Sequence, residues 1–470
     1  EMSAHRTILI ACLAALMAGC ATFSEDTGFG RVAATAQSRT GKGVAWARSD
    51  ADRDKIAQRV AELSKGPIDV EAAVQIALLN NRGLQATYAE LGLAEADVVQ
   101  AGRLANPLVK FERLVRPAEL TIDRTFLVNV LSLLTMPART DFEKRRFEIT
   151  QTRVTGEVLQ VAADTRRAWL AAVSTQETVK YLEQVSLATE AGAELAQRMA
   201  GVGNASRLNQ AREQAFHAEV VAQLARAKQT AVSQRERLTR LMGLWGESVN
   251  FTLPERLPDL PKQVREMKDI EQRAIAERLD VRAAIAEAEH IAATMGLTKA
   301  TGYVNLLELG YRHNTETGKP RETGYEIELR LPLFDWGTAR VSRAQFAYLQ
   351  AVDRAADTAV RARSEVREAY TAWRTAYDLA KHYRDEIVPL RKRISEETLL
   401  RYNGMLIGVF ELLADARQQV AAVNAYIDAL RDYWTADATL ELAMTGKSPG
   451  SMAIGSAASL TTSTAPAAAH

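Results

Sequence analysis

The six histidines of this chain, His5, His217, His290, His313, His382 and His470, are scattered, and none stands in a metal-ligand spacing such as H-E-x-x-H. Gly201-Val202-Gly203 lacks both the preceding strand pattern and the following Gly-Lys-Ser/Thr of a phosphate loop. There is no nucleophile elbow or carboxylate-dyad motif, and the ten methionines do not cluster. No catalytic, cofactor-binding or metal residue is therefore assigned, and an enzyme is not expected. The patterned chemistry is partition between water and an apolar medium. In 323–334 the odd positions are Tyr325, Ile327, Leu329, Leu331 and Leu333, and the even ones include Glu326, Glu328 and Arg330. In 302–314, Tyr303, Leu307, Leu309 and Tyr311 share one parity, and Glu308 and Arg312 take the other. Alternation with period two gives a strand one apolar and one charged face.

The elements that hold these strands occur twice, about 200 residues apart. The first copy, 67–250, predicts a helix over 69–104, stopped by Asn106-Pro107, then strands over 108–115 and 122–134. A breaker-free helix over 138–200 follows, roughly 95 Å long at 1.5 Å per residue, longer than a compact globule accommodates. Gly201–Asn204 interrupts it, and a helix returns over 206–242. A proline-rich connector spans 251–267. The second copy, 268–445, predicts a helix over 268–299, strands over 302–314 and 323–334, a helix over 338–403 kinked at Pro389, a break at Gly404 and a helix over 409–444. Short echoes keep register: Arg166-Arg167-Ala168-Trp169 with Arg367-Glu368-Ala369-Tyr370, and Ala211-Arg212-Glu213-Gln214 with Ala416-Arg417-Gln418-Gln419. A duplicated unit of this kind closes a core only by stacking on another copy. Strand 122–134 alternates less cleanly than the others. The apolar face would meet another sheet in a soluble sandwich, or lipid in a membrane barrel; four strands are too few to close a barrel in one chain, so several chains would have to share one.

A net charge of +1 with 25% charged residues gives no electrostatic basis for nucleic-acid binding. Hydrophobic content is 47% but only 6% aromatic, and the alanine-rich remainder favours closely packed long helices. No segment after residue 20 has 18 uninterrupted apolar residues, which argues against a spanning helix. His5, Arg6, the apolar run 8–18 and Met17-Ala18-Gly19-Cys20 form a targeting segment. It resembles a bacterial lipoprotein signal, with residues 1–19 removed and Cys20 carrying a covalent lipid; the alternative is a secretory signal cleaved near Ala21. Residues 20–66 read as a tether, with a short helix possible over 52–64, and 446–470 as a disordered tail.

Ile68-Asp69-Val70-Glu71-Ala72-Ala73 with Ala77-Leu78-Leu79-Asn80-Asn81, and Leu331-Pro332-Leu333-Phe334-Asp335-Trp336-Gly337, resemble the first-helix and strand-to-helix signatures of the TolC-like outer-membrane efflux channels. With the duplication, the resemblance covers about 67–445. It implies a mainly α chain with a membrane β-barrel portion. Three chains would give four strands each to a shared twelve-stranded barrel, continued by a periplasmic α-barrel of long helices. It implies a passive exit duct lying in outer-membrane lipid, docked at its periplasmic tip to an adaptor (membrane fusion) protein and an inner-membrane transporter. Gly201, Val202, Gly203, Leu208, Gly404, Met405 and Leu412 would form that tip. The glycines are expected to supply positive-φ turns. Counting from Gly201 and Gly404 makes Arg207 the equivalent of an acidic position filled one residue late by Glu411, with Asp415 beyond. Arg207 beside Glu411 would attract in a poorly screened mouth, so an alternating tip latch and two solvated charges are both open. Lys110, Glu112, Glu308, Glu326, Glu328 and Arg330 would face the lumen. A lipid-anchored periplasmic helical scaffold, with strands packed on another protein, is the other reading.

Overall fold

The computed structural model describes residues 22–300, 306–329, 334 and 336–450. Cys20, Arg330 and the tail beyond residue 450 lie outside them. The helices are α1 (Phe29–Thr40), α2 (Asp50–Leu63), α3 (Val70–Asn80) and α4 (Arg82–Ala101), followed by strands β1 (Leu108–Arg116) and β2 (Glu119–Asn129). Then come α5 (Val130–Gly201), α6 (Arg207–Met242), α7 (Ile270–Glu277) and α8 (Leu279–Ala300). Strands β3 (Leu307–Glu316) and β4 (Glu322–Leu329) precede α9 (Thr338–His382), α10 (Val388–Asn403) and α11 (Val409–Thr445). Among the described residues no helix is long and apolar enough to cross a membrane.

The chain forms two compact units, and neither coincides with a repeat. One gathers residues up to 56, 81–159 and 275–362; the other gathers 57–80, 160–274 and 363 onward. In the first unit the stretch expected to be a tether is built into the core. Phe29 meets Tyr88 edge-on at 4.9 Å, Val32 and Ala36 are buried, and Ser24 donates its backbone N–H to Glu95 at 2.8 Å. Gly28 holds φ +68°, and a Cβ there would come within 2.3 Å of the Phe147 ring; Gln151 donates to its carbonyl at 2.9 Å. The small residues of this segment carry too little periodicity to announce a helix, but they allow close approach.

In the second unit, Trp169 and Trp373 are fully buried with their indole N–H groups satisfied. The first donates to the Ile68 carbonyl at 2.8 Å, the second to Asp437 at 3.0 Å. The connector is strapped down through its backbone. Trp434 donates to the Pro258 carbonyl, Tyr377 to those of Pro261 and Lys262 and Arg384 to that of Leu260. Gly243 ends α6 at φ +65°, with the Asn80 carbonyl 2.5 Å from where a Cβ would stand.

Several expected elements differ for local reasons. The strand expected to end at 134 ends at Asn129, whose side chain accepts the Ser132 N–H at 2.7 Å and so caps α5. Leu131–Pro137 is thus helical, with Pro137 inside the helix. The first expected helix breaks after Asn80, because Asn81 caps α4 by accepting from Leu84 at 2.9 Å. The helix expected over 268–299 breaks at buried Arg278, which pairs with Asp280 through both ends of its guanidinium. The helix expected over 338–403 is interrupted just before Pro389 by a π-helical turn, Tyr383–Ile387. Pro389 has no N–H for the Asp385 carbonyl, and the wider turn absorbs that gap.

Candidate functional site

The four strands form one antiparallel sheet in the order β1-β2-β3-β4. β2 and β3, from different repeats, are paired along their length, Thr121 opposite Glu316 through Asn129 opposite Glu308. Directly paired residues project to the same side, so the register assigns the faces. Lys110 stands across from Thr125 and that from Arg312; Glu112 across from Asp123; Glu308 across from Glu328; Gly310 across from Glu326. All the described residues expected to face a lumen, Lys110, Glu112, Glu308, Glu326 and Glu328, therefore share one face. Arg312 joins Asp123 there in a two-point ion pair, and Lys110 lies 3.6 Å from Glu112. Acidic groups prevail, since Glu112, Glu119, Asp123, Glu308, Glu316, Glu322, Glu326 and Glu328 outnumber Lys110, Arg116 and Arg312. This is also the crowded face. Thr125 and Leu127 are buried on it, and a Cβ on Gly310 would stand 2.8 Å from Leu127.

The opposite face is mainly apolar and open, with Arg113, Arg124 and His313 among its polar members. Val109, Phe111, Val115, Phe126, Leu309, Tyr311, Tyr325, Ile327 and Leu329 are all exposed on it. One row, Val109, Phe126, Tyr311 and Tyr325, crosses all four strands in register. An apolar surface of this extent marks an interaction or membrane surface rather than an ordinary solvent face. Neither β1 nor β4 has a second strand partner among the described residues, so each leaves one row of backbone N–H and C=O groups unpaired.

The helical turns repeat each other closely. After α5, Gly203 and Asn204 donate to the Ala200 and Met199 carbonyls at 3.2 and 2.8 Å. After α10, Met405 and Leu406 donate to the Tyr402 and Arg401 carbonyls at 3.0 and 2.9 Å. Both are the same left-handed helix stop. Gly203 takes the left-handed position in the first (φ +81°), but in the second it is Met405 (φ +57°). Gly201 is still helical and Gly404 has φ −79°, so the expectation that all three glycines supply positive φ holds for Gly203 alone. Met405 is 93% exposed, and Val202, Leu208 and Leu406 are exposed beside these turns; Leu412 is half-buried in α11.

Three residues after the left-handed position, Ser206 and Gly408 cap the returning helices. By this geometry Arg207 matches Val409, and Glu411 matches Asn209. Arg207 and Glu411 are thus inequivalent, and both are exposed with no ion pair between them. Asp415 matches Glu213 instead. Glu213, 5% exposed, accepts from Arg417 at 2.7 Å, whose guanidinium lies 4.3 Å from the Phe216 ring. One carboxylate oxygen of Asp415 is buried without a hydrogen-bond partner. The Glu213–Arg417 pair is the link that sequence reasoning missed; the Ala-Arg-Glu-Gln echo was its only trace. Among the described residues no three His, Cys, Asp or Glu side chains are placed to hold a metal ion.

Residues 270–446 match the model of the outer membrane efflux protein family. The chain is 26% identical over 279 residues to the cobalt-zinc-cadmium resistance protein CzcC of Cupriavidus metallidurans, across 57% of this chain and 64%, just under two thirds, of that protein's length. Its fold matches the crystal structure of a membrane protein from Pseudomonas aeruginosa with a TM-score of 0.69 at 18% identity, covering 82% of this chain and 94% of the other. It also matches the Campylobacter jejuni CmeC outer membrane channel with a TM-score of 0.67 at 15% identity, covering 82% and 87%. Residues 270–446 thus resemble the outer membrane efflux protein family, in a chain whose fold is similar to that of an outer-membrane channel.

Proposed function

We propose that this chain is the outer-membrane exit duct of a tripartite export system and works as a homotrimer. The carrying observation is the sheet: mainly apolar and open on one face, acidic and crowded on the other, with two unpaired edges. Joining β4 of one copy to β1 of the next satisfies both edges and closes twelve strands from three chains. The acidic face then lines a wet interior, the apolar face meets lipid, and the row through Phe126, Tyr311 and Tyr325 serves as an interfacial aromatic girdle. The duct is passive, and an inner-membrane transporter supplies the energy. A lipid on Cys20 anchors the chain.

The turns at Gly203 and Met405 form the periplasmic tip, where a periplasmic adaptor docks. Met405 supports this placement: a methionine held at positive φ and exposed to water costs stability, which suits a docking role. Arg207, Glu411 and Asp415 act as a tip latch between copies, the unpartnered oxygen of Asp415 accepting from a neighbour. The cargo class is cationic. The acidic face attracts cations, and CzcC is a cobalt-zinc-cadmium resistance protein.

The test is planar-bilayer recording of detergent-extracted protein whose native mass has been measured. A three-copy particle with cation-selective conductance is expected. A monomer that leaves the membrane without detergent once Cys20 is changed to serine, and that gives no conductance, refutes the duct and supports a lipid-anchored scaffold.

A further inference from the structure

Where α4, α5 and α8 approach the sheet, they enclose a cleft of about 360 Å3, within the size range of small-ligand sites. Its polar lining is of mixed charge. Arg139, Glu143 and Arg146 line it from one face of α5, Asp97 and Gln100 from α4, and His290 and Thr294 from α8. These groups satisfy one another poorly. Arg146 reaches Asp97 and Glu143 only at 3.9 and 3.6 Å, beyond hydrogen-bonding length. One carboxylate oxygen of Glu143 and Nδ1 of His290 are buried without a hydrogen-bond partner, the His290 ring being held edge-on against Phe142 at 6.4 Å. Buried acceptors and donors left open in this way cost stability until something fills them.

The surroundings narrow down what does. Leu104 follows the end of α4 by three residues, and Leu133 and Leu134 precede Arg139 by six and five; all three are exposed. The cleft is thus flanked in sequence by exposed apolar side chains. A ligand that matches both carries an anionic group and a cationic group close together, with apolar chains attached.

We propose that this cleft holds the head group of a phosphoethanolamine phospholipid. Its phosphate accepts from Arg139 and from His290 in the tautomer protonated at Nδ1, its ammonium donates to Glu143 and Asp97, and its acyl chains lie along Leu133 and Leu134. The inference rests on the outer-membrane reading above, which puts the end of the sheet at the inner lipid surface. A purely anionic lipid or free phosphate would add a third negative charge beside Glu143 and Asp97 and leave them only their long contacts to Arg146.

The test is native mass spectrometry of the delipidated full-length protein in mild detergent, titrated separately with phosphatidylethanolamine, phosphatidylglycerol and inorganic phosphate. Wild type is expected to hold one phosphatidylethanolamine per chain, preferred at least about tenfold over phosphatidylglycerol, as one charge-assisted hydrogen bond supplies. Glu143→Gln should erase that preference, and Arg139→Gln should weaken both lipids. Equal retention of the two lipids by wild type, an adduct with phosphate alone, or variants that behave as wild type would overturn the proposal. So would the absence of any lipid adduct, which is expected if a second copy of this chain covers the cleft. Bilayer recording on the same sample separates the two readings. Conducting protein without bound phosphatidylethanolamine sinks the lipid site and leaves the duct. Non-conducting protein that retains the lipid sinks the duct and leaves the site.

Discussion

If an adaptor docks at this turn as proposed, Met405 allows stability and docking to be moved in opposite directions by one substitution. In the left-handed region a residue with a Cβ costs about 1–2 kcal/mol, whereas glycine gives back about 0.5–1 kcal/mol through its freer unfolded chain. Met405→Gly should therefore stabilise the turn by a net ~0.5–1 kcal/mol. Native-state hydrogen exchange of the Leu406 amide, which closes the turn on Arg401, reads this as about two- to fivefold slower exchange. The same change deletes a side chain that is 93% exposed and free to be buried by a partner. Losing that burial costs about 1.5–3 kcal/mol, or roughly ten- to hundredfold in affinity for the cognate adaptor. Met405→Ala separates the effects, since it keeps the strained backbone and loses the contact. The glycine variant should exchange more slowly and dock worse; the alanine variant should dock equally badly with no gain in protection. Unchanged Leu406 exchange in the glycine variant would refute the strain, and wild-type adaptor affinity in both would refute the docking role.

Glu213→Ala strands Arg417 and should cost about 2 kcal/mol, less than a fully buried pair because the arginine side chain is 32% exposed. In a urea-melt cycle the double variant with Arg417→Ala should be little worse than either single one; additive losses would mean the two act separately. Gly243→Ala forces a Cβ against the Asn80 carbonyl at positive φ and should cost about 2 kcal/mol or more, a native-like melt being the contrary result. The N–H groups of Gly30 and Gly28 hold the Asp26 carboxyl below its usual range. Its folded-state value is thus depressed, and its cap on α1 contributes above the unfolded value and is lost as pH falls below about 4. Asp26→Asn should flatten the acid-induced fraying of α1, by well under about 1 kcal/mol at this exposed site, as followed by exchange at α1 amides between pH 5 and 3. Glu308→Gln with Glu328→Gln removes two carboxylates paired across the sheet and should move the reversal potential in a salt gradient toward zero; an unchanged potential would place selectivity elsewhere.

Strand parity was legible because alternation depends on composition alone, and the register bears it out at Glu308, Glu326 and Glu328. The long helices were legible because breakers are absent from them. Positions decided by a single side chain reaching back to the backbone were not. Asn129 could continue a strand or cap a helix, and only the pairing of β2 with β3 decides. The turn after α10 looked like a glycine turn because Gly404 is there, yet the hydrogen bonds put the left-handed residue one place later, on Met405. Distant contacts such as Phe29 on Tyr88 had no periodicity to reveal them. The inequivalence of Arg207 and Glu411 appeared only once the turns themselves were aligned.

The pairing of β2 with β3 also constrains the order of events during biogenesis. Their partners are nearly two hundred residues apart, as Thr121 and Glu316 illustrate, and each compact unit draws on both repeats. A polypeptide threaded N-terminus first across the inner membrane presents β2 with a bare edge until Leu307 and its successors arrive. High contact order slows closure of such a sheet, and an unpaired apolar edge invites aggregation in the interval. If the chain is exported as proposed, protection of that edge is most needed while residues 130–306 are still being delivered, and truncation between the repeats should leave material for degradation rather than a half-sized domain.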